Sequence, residues 1–401
     1  MIRSKQVEVP LKIVIVVQGR FHTFDLAREL IRAGAQVILL TNYPKYIAER
    51  FGIPKENVIS CLSHGVVSKL IDKAGGWRLN AVFEPCLHSW FSRWAVRTLR
   101  GMDVNAIHVF SGVCEELMLG LSGRPVLKLL ARGSAHIRTQ ARLLEEETAR
   151  CGQPIDHPSP WRLSREEREY KMSHLIIVNS SFARESFEAE GVPPEKIRTL
   201  LLGAQLEHFR ASEDDIERRC ARILAGEPLR VLTVGSFSLR KGALDLVEIA
   251  KRVNGRMKFR MVGDAASDLL RLKKAGPIEF IGRQPQFSLP SIYREADLFL
   301  FPTIEDGYAV VLSQAQAAGL PLLATPNCSA PDIVKENKNG WVLPIRNPGA
   351  FVEKLEWCHR NRDALARMVR STYEAHNQRD WAQVASDLIK ICEEWRSQHA
   401  V

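Results

Sequence analysis

The chain contains short apolar runs that are continuous rather than alternating. Each is followed by a polar or glycine-containing turn and then by a segment with helical spacing. The first unit has a run at 12–17, a turn at 18–23, a helix over 24–34 and a second run at 35–40. Continuous runs of this kind are typical of strands buried on both faces of a parallel sheet. Eight further runs are predicted strands: 106–110, 125–130, 175–178, 230–234, 258–262, 278–281, 298–301 and 321–324.

The opening strand, glycine turn and helix recur in the second half of the chain, at 230–253. This coarse duplication predicts an α/β fold with two Rossmann-like domains, and 401 residues are more than one compact core usually holds. We predict a first domain over 1–205, with 1–10 as a loose lead, a second domain over 206–375, entered through a charged connection at 211–226, and a C-terminal helix within 376–401.

The composition narrows the functional class without deciding it. Hydrophobic residues make up 45% and charged residues 25% of the chain, and the net charge is +10. A basic protein suits a phosphorylated substrate and an acidic or membrane-held partner. Nucleic acid is not an expected partner, because no nucleic-acid-binding motif or interleaving of aromatic and basic residues is present. The opening unit lacks GxGxxG, which argues against a dinucleotide-dependent dehydrogenase.

Cysteine usage and hydropathy predict a cytoplasmic location. The eight cysteines include no CxxC pair, so they are interpreted as free thiols rather than as disulfides or zinc ligands. The apolar run at 11–17 leads into a polar turn and a helix rather than a cleavage site, so no signal peptide is predicted. No stretch approaches the roughly 20 apolar residues needed to span a bilayer.

The most informative stretch is 301–325, which reads as strand, turn, helix, glycine and strand. In open parallel sheets, ligands bind at the carboxyl ends of strands, where this turn lies. Gly307 is expected to let the backbone approach a ligand closely. The amides of Tyr308, Ala309 and Val310 are expected to direct unpaired N–H groups and the positive end of the helix at that ligand. The stretch therefore predicts an anion site.

The sequence Asp306-Gly307-Tyr308-Ala309, followed by Gln314-Ala315 and Gly319-Leu320-Pro321, resembles the E-x7-E signature of the family-four retaining glycosyltransferases. The resemblance implies the GT-B architecture, in which two Rossmann-like domains face each other and a C-terminal helix returns to the first. In this register Asp306 replaces the first glutamate, which contacts the donor sugar, with Glu305 beside it. Gln314 replaces the second, which binds the ribose; glutamine keeps an acceptor and adds donors.

The same resemblance assigns donor contacts elsewhere in the chain. The lysine of an Arg-Lys-Gly turn binds the donor pyrophosphate in the family, and Lys241 takes that position with Arg240 before it. Gly282 and Arg283 correspond to the turn that lines the base pocket. Gly19 matches the glycine that lies across the cleft from the donor, and His136 matches a histidine near the sugar, where it is expected to donate or accept a hydrogen bond.

The acceptor side is less defined. Arg20, His22, Arg132 and Ser134 follow predicted strands and are candidates for contact with the acceptor, although a structural role is an equal alternative for the turn residues. A helical segment at 80–101 carries Arg93, Arg97 and Arg100 on one face and Trp90 and Trp94 on an adjacent one. Such a helix either contacts an anionic membrane or buries its tryptophans in the core.

We therefore predict a metal-independent retaining glycosyltransferase that moves a hexose from a UDP- or GDP-linked sugar to a glycan or lipid-linked acceptor, and that needs no cofactor. Asp306, Glu305 and His136 are the predicted catalytic residues. The Asp214-Asp215 pair falls in the charged connection and is interpreted as solvated rather than as a metal-binding motif. Nucleotide-sugar epimerases and phosphorylases share this scaffold, and a non-catalytic nucleotide-sugar-binding protein is a further alternative. Peripheral contact with the inner face of the membrane is left open.

Overall fold

In the computed structural model, which describes residues 10–153, 155–253, 255–265, 269–375 and 379–399, the chain forms two parallel β-sheets. The lead at 1–9 and the ends of the predicted C-terminal segment, 376–378 and 400–401, lie outside the described residues. The first sheet has the order β3-β2-β1-β4-β5-β6-β7. Its strands are β1 Lys12–Val17, β2 Gln36–Thr41, β3 Val58–Ser60, β4 Ala106–Phe110, β5 Leu127–Arg132, β6 Leu175–Val178 and β7 Ile197–Thr199.

The second sheet has six strands in the order β10-β9-β8-β11-β12-β13. They are β8 Leu229–Val234, β9 Met257–Val262, β10 Ile278–Phe280, β11 Leu298–Phe301, β12 Leu322–Ala324 and β13 Gly340–Val342. The central strands are buried along almost their whole length, as their continuous apolar sequence predicts. The prediction of two Rossmann-like α/β halves is confirmed.

Helices cover the faces of both sheets, as right-handed crossovers between parallel strands require. Their bounds are α1 Thr23–Arg32, α2 Lys45–Glu49, α3 Leu62–Leu99, α4 Glu115–Gly120, α5 Ile137–Cys151, α6 Pro160–Met172, α7 Ser181–Ala189, α8 Glu213–Leu224, α9 Ala243–Arg252, α10 Leu270–Lys273, α11 Leu289–Glu295, α12 Val310–Ala317, α13 Ala330–Ile333, α14 Pro348–Arg360, α15 Arg362–Glu374 and α16 Trp381–His399. None of the described helices is long and apolar enough to cross a bilayer.

The C-terminal helix α16 returns to the first domain, as expected from the resemblance. Trp381, Val384 and Leu388 are buried in the hydrophobic core of the first sheet together with residues of α1. Gly203 makes this crossing possible, because a Cβ atom there would lie 2.5 Å from the carbonyl carbon of Asp380. The boundaries at 205 and 375 stay predictions.

The segment at 211–226 corrects one sequence interpretation. Predicted as the charged connection into the second domain, it forms a packed helix, α8, in which Ile216, Arg219, Cys220 and Ile223 are buried. Asp215 is not simply solvated, since its carboxylate and the Ser212 hydroxyl form a capping box at the helix start. Arg219 is fully buried and donates to the backbone carbonyls of Ala296, Ala318 and Gly319. Because an arginine occupies one of the buried positions, the segment has fewer apolar residues than a packed helix usually shows.

The tryptophan- and arginine-bearing segment is the second half of α3. Phe91, Ala95 and Leu99 lie in the core of the first domain, and Trp94 packs against that core. Arg93 and its helical neighbours Arg97 and Arg100 are exposed. The second half of α3 is therefore a core helix with a solvent-exposed basic edge, and its packing does not support membrane contact there.

Candidate functional site

A cleft of about 1970 Å³ separates the two domains. Its walls are the segments that follow the carboxyl ends of strands from both sheets, which is where open parallel sheets bind ligands. From the first domain these are 18–22, 42–44, 110–111 and 132–134, and from the second Arg240, Gln286, Tyr308, Val310 and Gln314, while 202–208 and 380–382 close one end.

The two loops that were predicted to bind an anion lie side by side. Gly242 has φ of 73°, and a Cβ atom there would lie 1.9 Å from the carbonyl oxygen of Pro302, so the loop after β8 is packed directly on the end of β11. The backbone carbonyl of Arg240 accepts hydrogen bonds from the amides of Ile304, at 2.9 Å, and Glu305, at 3.4 Å. This backbone contact places Arg240 and Lys241 next to Glu305 and Asp306.

Both cations are already paired in this structure, which sequence reasoning did not anticipate. Lys241 Nζ lies 2.6 Å from Asp306 Oδ2, and Arg240 Nη2 lies 2.6 Å from Glu305 Oε2. Burial raises the pKa of each carboxyl group, but the charges of Lys241 and Arg240 outweigh it and hold the pKa of both below the ordinary value. A diphosphate would meet these cations only by sharing or displacing the carboxylates.

Glu305 is also the centre of a contact between the domains. Its side chain is fully buried, and it accepts hydrogen bonds from the Ala135 amide and from Gln140 Nε2, both at 3.1 Å. Arg240 Nη2 donates to the Ser134 hydroxyl at 3.1 Å. Glu305 therefore joins the second domain to the start of α5 in the first, a position from which it organises the site rather than one that faces open cleft.

Gly307 corrects a second expectation. The backbone that it allows to approach belongs to the facing domain, since a Cβ atom at Gly307 would lie 2.1 Å from the Gly133 carbonyl oxygen and 2.6 Å from the Ser134 nitrogen. The Tyr308 amide donates to the Asp306 carboxylate, and the Ala309 amide donates to the Ser329 hydroxyl at 3.2 Å. Two of the three amides predicted to face an anion are thus already hydrogen-bonded within the protein.

Gln314 and its neighbours on α12 do line the cleft. The Tyr293 hydroxyl donates to Gln314 Oε1 at 3.1 Å, which leaves the amide N–H groups of Gln314 as the ones it can offer a ligand. Tyr308 and Val310 line the same wall. Gly282 and Arg283 are not among the lining residues: the Gly282 carbonyl accepts from the Gly263 amide at 3.0 Å, and the Arg283 side chain is 82% exposed.

His136 does not reach the cleft. Its ring lies 5.0 Å from that of Tyr170 and 4.9 Å from that of Phe187, and its Nδ1 accepts from the Arg138 amide, so that it caps α5. Gln140, one turn further along α5, faces the cleft instead. The His136 ring is directed into the core of the first domain, so it is not placed to form the expected hydrogen bond to a donor sugar.

The acceptor-side candidates divide in two. Arg20 lines the cleft, as does Gly19, the donor-side candidate that precedes it and has φ of 106°. His22 also borders it, but its ring is stacked on Trp381, and burial together with nearby His108 lowers its pKa to about 3. Arg132 and Ser134 border the cleft too, but Arg132 is buried and donates to Gln140 Oε1 at 2.7 Å, and Ser134 accepts from Arg240, so both make contacts of the domain junction.

Sequence reasoning missed Phe21. It is 60% exposed in the cleft, lies parallel to Phe110 with ring centroids 5.2 Å apart, and has φ of 41°, which is uncommon for a residue other than glycine. Its position directly after a glycine turn was the available signal. Among the described residues, no group of three or more His, Cys, Asp or Glu side chains could hold a metal ion.

Two buried histidines make the stability of the first domain dependent on pH. Burial lowers the pKa of both His108 and His136 to about 4, against roughly 6.5 in an unfolded chain. The unfolded chain binds more protons below that pH, so stability falls as pH decreases from about 6.5 to about 4. Glu169 has the opposite effect on the pH dependence of stability. Burial raises its pKa to about 7, so the stability that its protonated form contributes is lost as pH rises toward that value.

We expect His136→Asn to flatten this dependence. Asparagine keeps a cap acceptor but does not titrate, so the difference in free energy of unfolding between wild type and variant should shrink by about 2 kcal/mol between pH 6.5 and pH 5. Urea denaturation at several pH values measures this difference. His208→Asn, at an exposed position, is the control and should leave the pH dependence unchanged. A difference that is constant with pH would contradict the neutral state of His136.

Comparison with known proteins finds a family model that matches the second domain. Residues 216–375 match the family model described as Glycosyl transferases group 1. AmsK, an amylovoran biosynthesis glycosyltransferase of Erwinia amylovora, is 27% identical over 192 residues, which are 44% of this chain and 45% of AmsK. A GDP-mannose-dependent alpha-mannosyltransferase of Mycobacterium tuberculosis is 25% identical over 276 residues, 68% of this chain and 67% of that protein. The first of these matches spans about half the length of the relative.

Solved structures match the whole fold. HepE of Anabaena, determined with UDP and glucose, covers 96% of this chain at a TM-score of 0.68 and 15% identity, with all of its own chain covered. WaaG, a glycosyltransferase involved in lipopolysaccharide biosynthesis, covers 95% of this chain at a TM-score of 0.61 and 14% identity, with 99% of its own chain covered. These similarities confirm the GT-B fold.

Proposed function

We propose that this chain, whose residues 216–375 match the model of the glycosyl transferases group 1 family, is a retaining glycosyltransferase that moves a hexose from a UDP- or GDP-linked donor to an acceptor hydroxyl. The named roles of AmsK and of WcaL, a putative colanic acid biosynthesis glycosyltransferase of Salmonella typhimurium that is 23% identical to this chain over 216 residues, support a setting in surface polysaccharide or lipid-linked glycan assembly.

The observation that carries the proposal is the convergence of two loops beside the cleft, whose wall includes Arg240 from the first of them. The loop after β8 brings Arg240 and Lys241, and the loop after β11 brings Glu305 and Asp306, to within 2.6 Å of each other in two ion pairs. A leaving diphosphate gains negative charge as the sugar bond breaks. Positive groups placed beforehand at that point lower the barrier because they need no reorganisation.

We infer an exchange of charges when the donor binds. The diphosphate takes the place of Asp306 beside Lys241, and the freed carboxylate turns toward the sugar, where it faces the positive charge that develops at the anomeric carbon. Glu305 keeps its contacts with Ala135 and Arg240 and so holds the guanidinium in position. Lys241 and Arg240 each have an anionic partner both with and without the bound donor. Neither cation is therefore left unpaired in the free protein.

Other residues would position the donor and exclude water. Gln314 offers N–H donors from the wall of the cleft, which suits the ribose hydroxyl oxygens as acceptors. The contact of Gly307 with Gly133 brings the domains together beside the ion pairs. Close apposition excludes the water that would otherwise hydrolyse the donor.

A thermal-shift panel tests the proposed function. UDP, GDP, their hexose conjugates and the corresponding monophosphates would each be added to the full chain, since a ligand that binds the folded state raises the unfolding temperature by mass action. We expect one diphosphate series to raise it and the monophosphates to do so much less. Incubation of the stabilising nucleotide sugar with product analysis then separates hexosyl transfer or slow hydrolysis from epimerisation. No shift with any nucleotide would contradict the proposal.

Lys241→Ala should weaken binding of the nucleoside diphosphate ten- to a hundredfold. The change removes one charge-assisted hydrogen bond to the diphosphate, worth about 1.5 to 3 kcal/mol. Isothermal titration with the nucleoside diphosphate found by the panel measures the loss. Lys258→Ala, at an exposed position of β9, is the matched control. Asp306→Asn removes the competing carboxylate and should bind the diphosphate at least as well as wild type; weaker binding would contradict the exchange of charges.

A further inference from the structure

The first-domain wall of the cleft carries two cations that contrast with their neighbours. Within the described part of the chain, neither Arg20 nor Lys69 forms an ion pair, and both line the cleft. The Arg20 guanidinium lies 4.4 Å from the centroid of the Phe51 ring, and Lys69 Nζ lies 5.7 Å from that of Tyr43. These aromatic contacts hold the side chains but leave their charges without a carboxylate.

Two other cations of this wall are neutralised. Arg28 pairs with Asp25 at 2.8 Å and with Glu29 at 2.7 Å, and Arg32 pairs with Glu29 at 3.0 Å. The nearby carboxylate of Asp72 accepts a hydrogen bond from Asn80 at 3.0 Å rather than pairing with Lys69. On this part of the wall, the described cations without a carboxylate partner are therefore Arg20, Lys69 and Arg50, whose guanidinium lies 5.6 Å from the centroid of the Tyr46 ring.

One residue, Asn42, contacts the two segments that carry these cations. Asn42 accepts a hydrogen bond from the Gly19 amide at 2.8 Å, and Arg20 follows that glycine. On the other side, a Cβ atom at Gly65 would lie 2.2 Å from the Asn42 carbonyl oxygen, so α3 is pressed directly onto this residue. Lys69 lies one helical turn after Gly65. Asn42 therefore contacts both the turn that carries Arg20 and the helix that carries Lys69.

Beside Lys69, α3 exposes apolar side chains. Leu62, Val66 and Leu70 recur every fourth residue, which places them on one face of the helix, and they are 51%, 58% and 61% exposed. Leu62 and Val66 also line the cleft. An exposed apolar stripe of this kind, which begins within a ligand cleft and continues along a helix, is a binding surface rather than scattered surface residues.

We propose that the acceptor is an anionic amphiphile, with its charged head between Arg20 and Lys69 and its hydrocarbon chain along Leu62, Val66 and Leu70. The inference rests on the proposed function, whose acceptor class it names. The argument is complementarity: unpaired positive charge and exposed apolar surface meet at one mouth of the cleft. A phosphate has more oxygen atoms than a carboxylate. Different phosphate oxygens can therefore accept hydrogen bonds from both cations at once.

The test uses the full chain and monomeric probes, measured by isothermal titration below their micelle concentrations and with the stabilising nucleoside diphosphate present. The probes are decyl phosphate, decanoate, decyl glucoside and inorganic phosphate. We expect decyl phosphate to bind at least tenfold more tightly than decyl glucoside or inorganic phosphate, and its binding to weaken with added salt. Decanoate binding as tightly as decyl phosphate would assign the head to a carboxylate and would overturn the phosphate assignment.

Variants separate the two parts of the proposed site. Arg20→Gln and Lys69→Gln should each weaken decyl phosphate binding about tenfold and leave decyl glucoside unchanged. Val66→Ser and Leu70→Ser should weaken both decyl probes and leave inorganic phosphate unchanged. The matched controls are Arg32→Gln, whose charge is already paired with Glu29, and Val82→Ser, an exposed apolar position of α3 that does not line the cleft.

Equal losses in Arg20→Gln and Arg32→Gln would overturn the anionic head site, and equal losses in Leu70→Ser and Val82→Ser would overturn the apolar part. The nucleotide panel keeps these failures distinct from failure of the proposed function. A chain that binds a nucleoside diphosphate but does not distinguish the decyl probes would refute this inference alone. A chain that binds decyl phosphate but no nucleotide would refute the proposed function instead.

Discussion

Replacing Glu305 with alanine is expected to lower the free energy of unfolding by about 3 kcal/mol. Removing one partner of a buried ion pair typically costs 3 to 5 kcal/mol, and the lower end applies because the Arg240 side chain is 33% exposed. The variant also leaves the Ala135 amide and the Gln140 side chain without the acceptor that they share across the domain junction. The loss is therefore a loss of contact between domains as well as of an ion pair.

Urea denaturation followed by tryptophan fluorescence measures this effect. Glu279→Ala is the matched control, because Glu279 pairs with Arg260 at 3.0 Å but its side chain is 61% exposed, and exposed pairs contribute about 0 to 1 kcal/mol. Glu305→Gln keeps the shape and one acceptor and should fall between the two. If Glu305→Ala and Glu279→Ala lowered the urea midpoint equally, Glu305 would not be the link between the domains.

The strands that the sequence predicted most clearly are the central ones. Residues 13–17 and Leu298–Phe301 lie in strands with a neighbour on each side, so these positions are all apolar and buried and the pattern is unambiguous. The edge strand Ile278–Phe280 was also predicted, although none of its residues is fully buried. The strands that were missed, Val58–Ser60, Ile197–Thr199 and Gly340–Val342, have three residues each and form sheet edges. An edge strand of three residues leaves too short an apolar run to distinguish it from a loop.

The position of the site was predictable for a local reason. A strand followed by a glycine turn and a helix fixes which end of the sheet the turn occupies, so Arg240 and Gly307 could be placed near each other without coordinates. The residues of the facing domain that contact these loops could not be placed in this way. Glu305 is 170 residues from Ala135 and 165 from Gln140 along the chain, and such pairings depend on how two independently patterned domains meet.

His136 and Gln140 show the same limit within one helix. Both lie in the first turns of α5, and sequence alone favoured histidine because of its chemistry. At the N-cap, the backbone direction carries the His136 ring toward Tyr170 and Phe187. One turn later, Gln140 is directed at Glu305 and the cleft. Residue type indicated chemistry, but the non-helical backbone at the N-cap, with φ of -47° and ψ of 140° at His136, decided which side chain faces the second domain.

Gly307→Ala is expected to slow sugar transfer about a hundredfold. The added methyl would lie 2.1 Å from the Gly133 carbonyl oxygen, a backbone atom that cannot rotate away as a side chain can. A van der Waals separation requires the two loops to move apart by about 1 Å, and a misplacement of that size can cost about a hundredfold in rate. Because Lys241 and Asp306 lie on the same side of this contact, affinity for the nucleoside diphosphate should change far less than the turnover rate.

The facing glycine provides the control. Gly133 lies against the same junction, but a Cβ atom there would meet a single atom, Phe110 Cε1, at 4.0 Å. Gly133→Ala should therefore retain most of the transfer rate, although it is the same chemical change in the opposing loop. Initial rates at saturating donor, together with the radius of gyration from small-angle scattering, compare the two variants. Equal rates would mean that the apposition of the two domains at Gly307 is not needed for transfer.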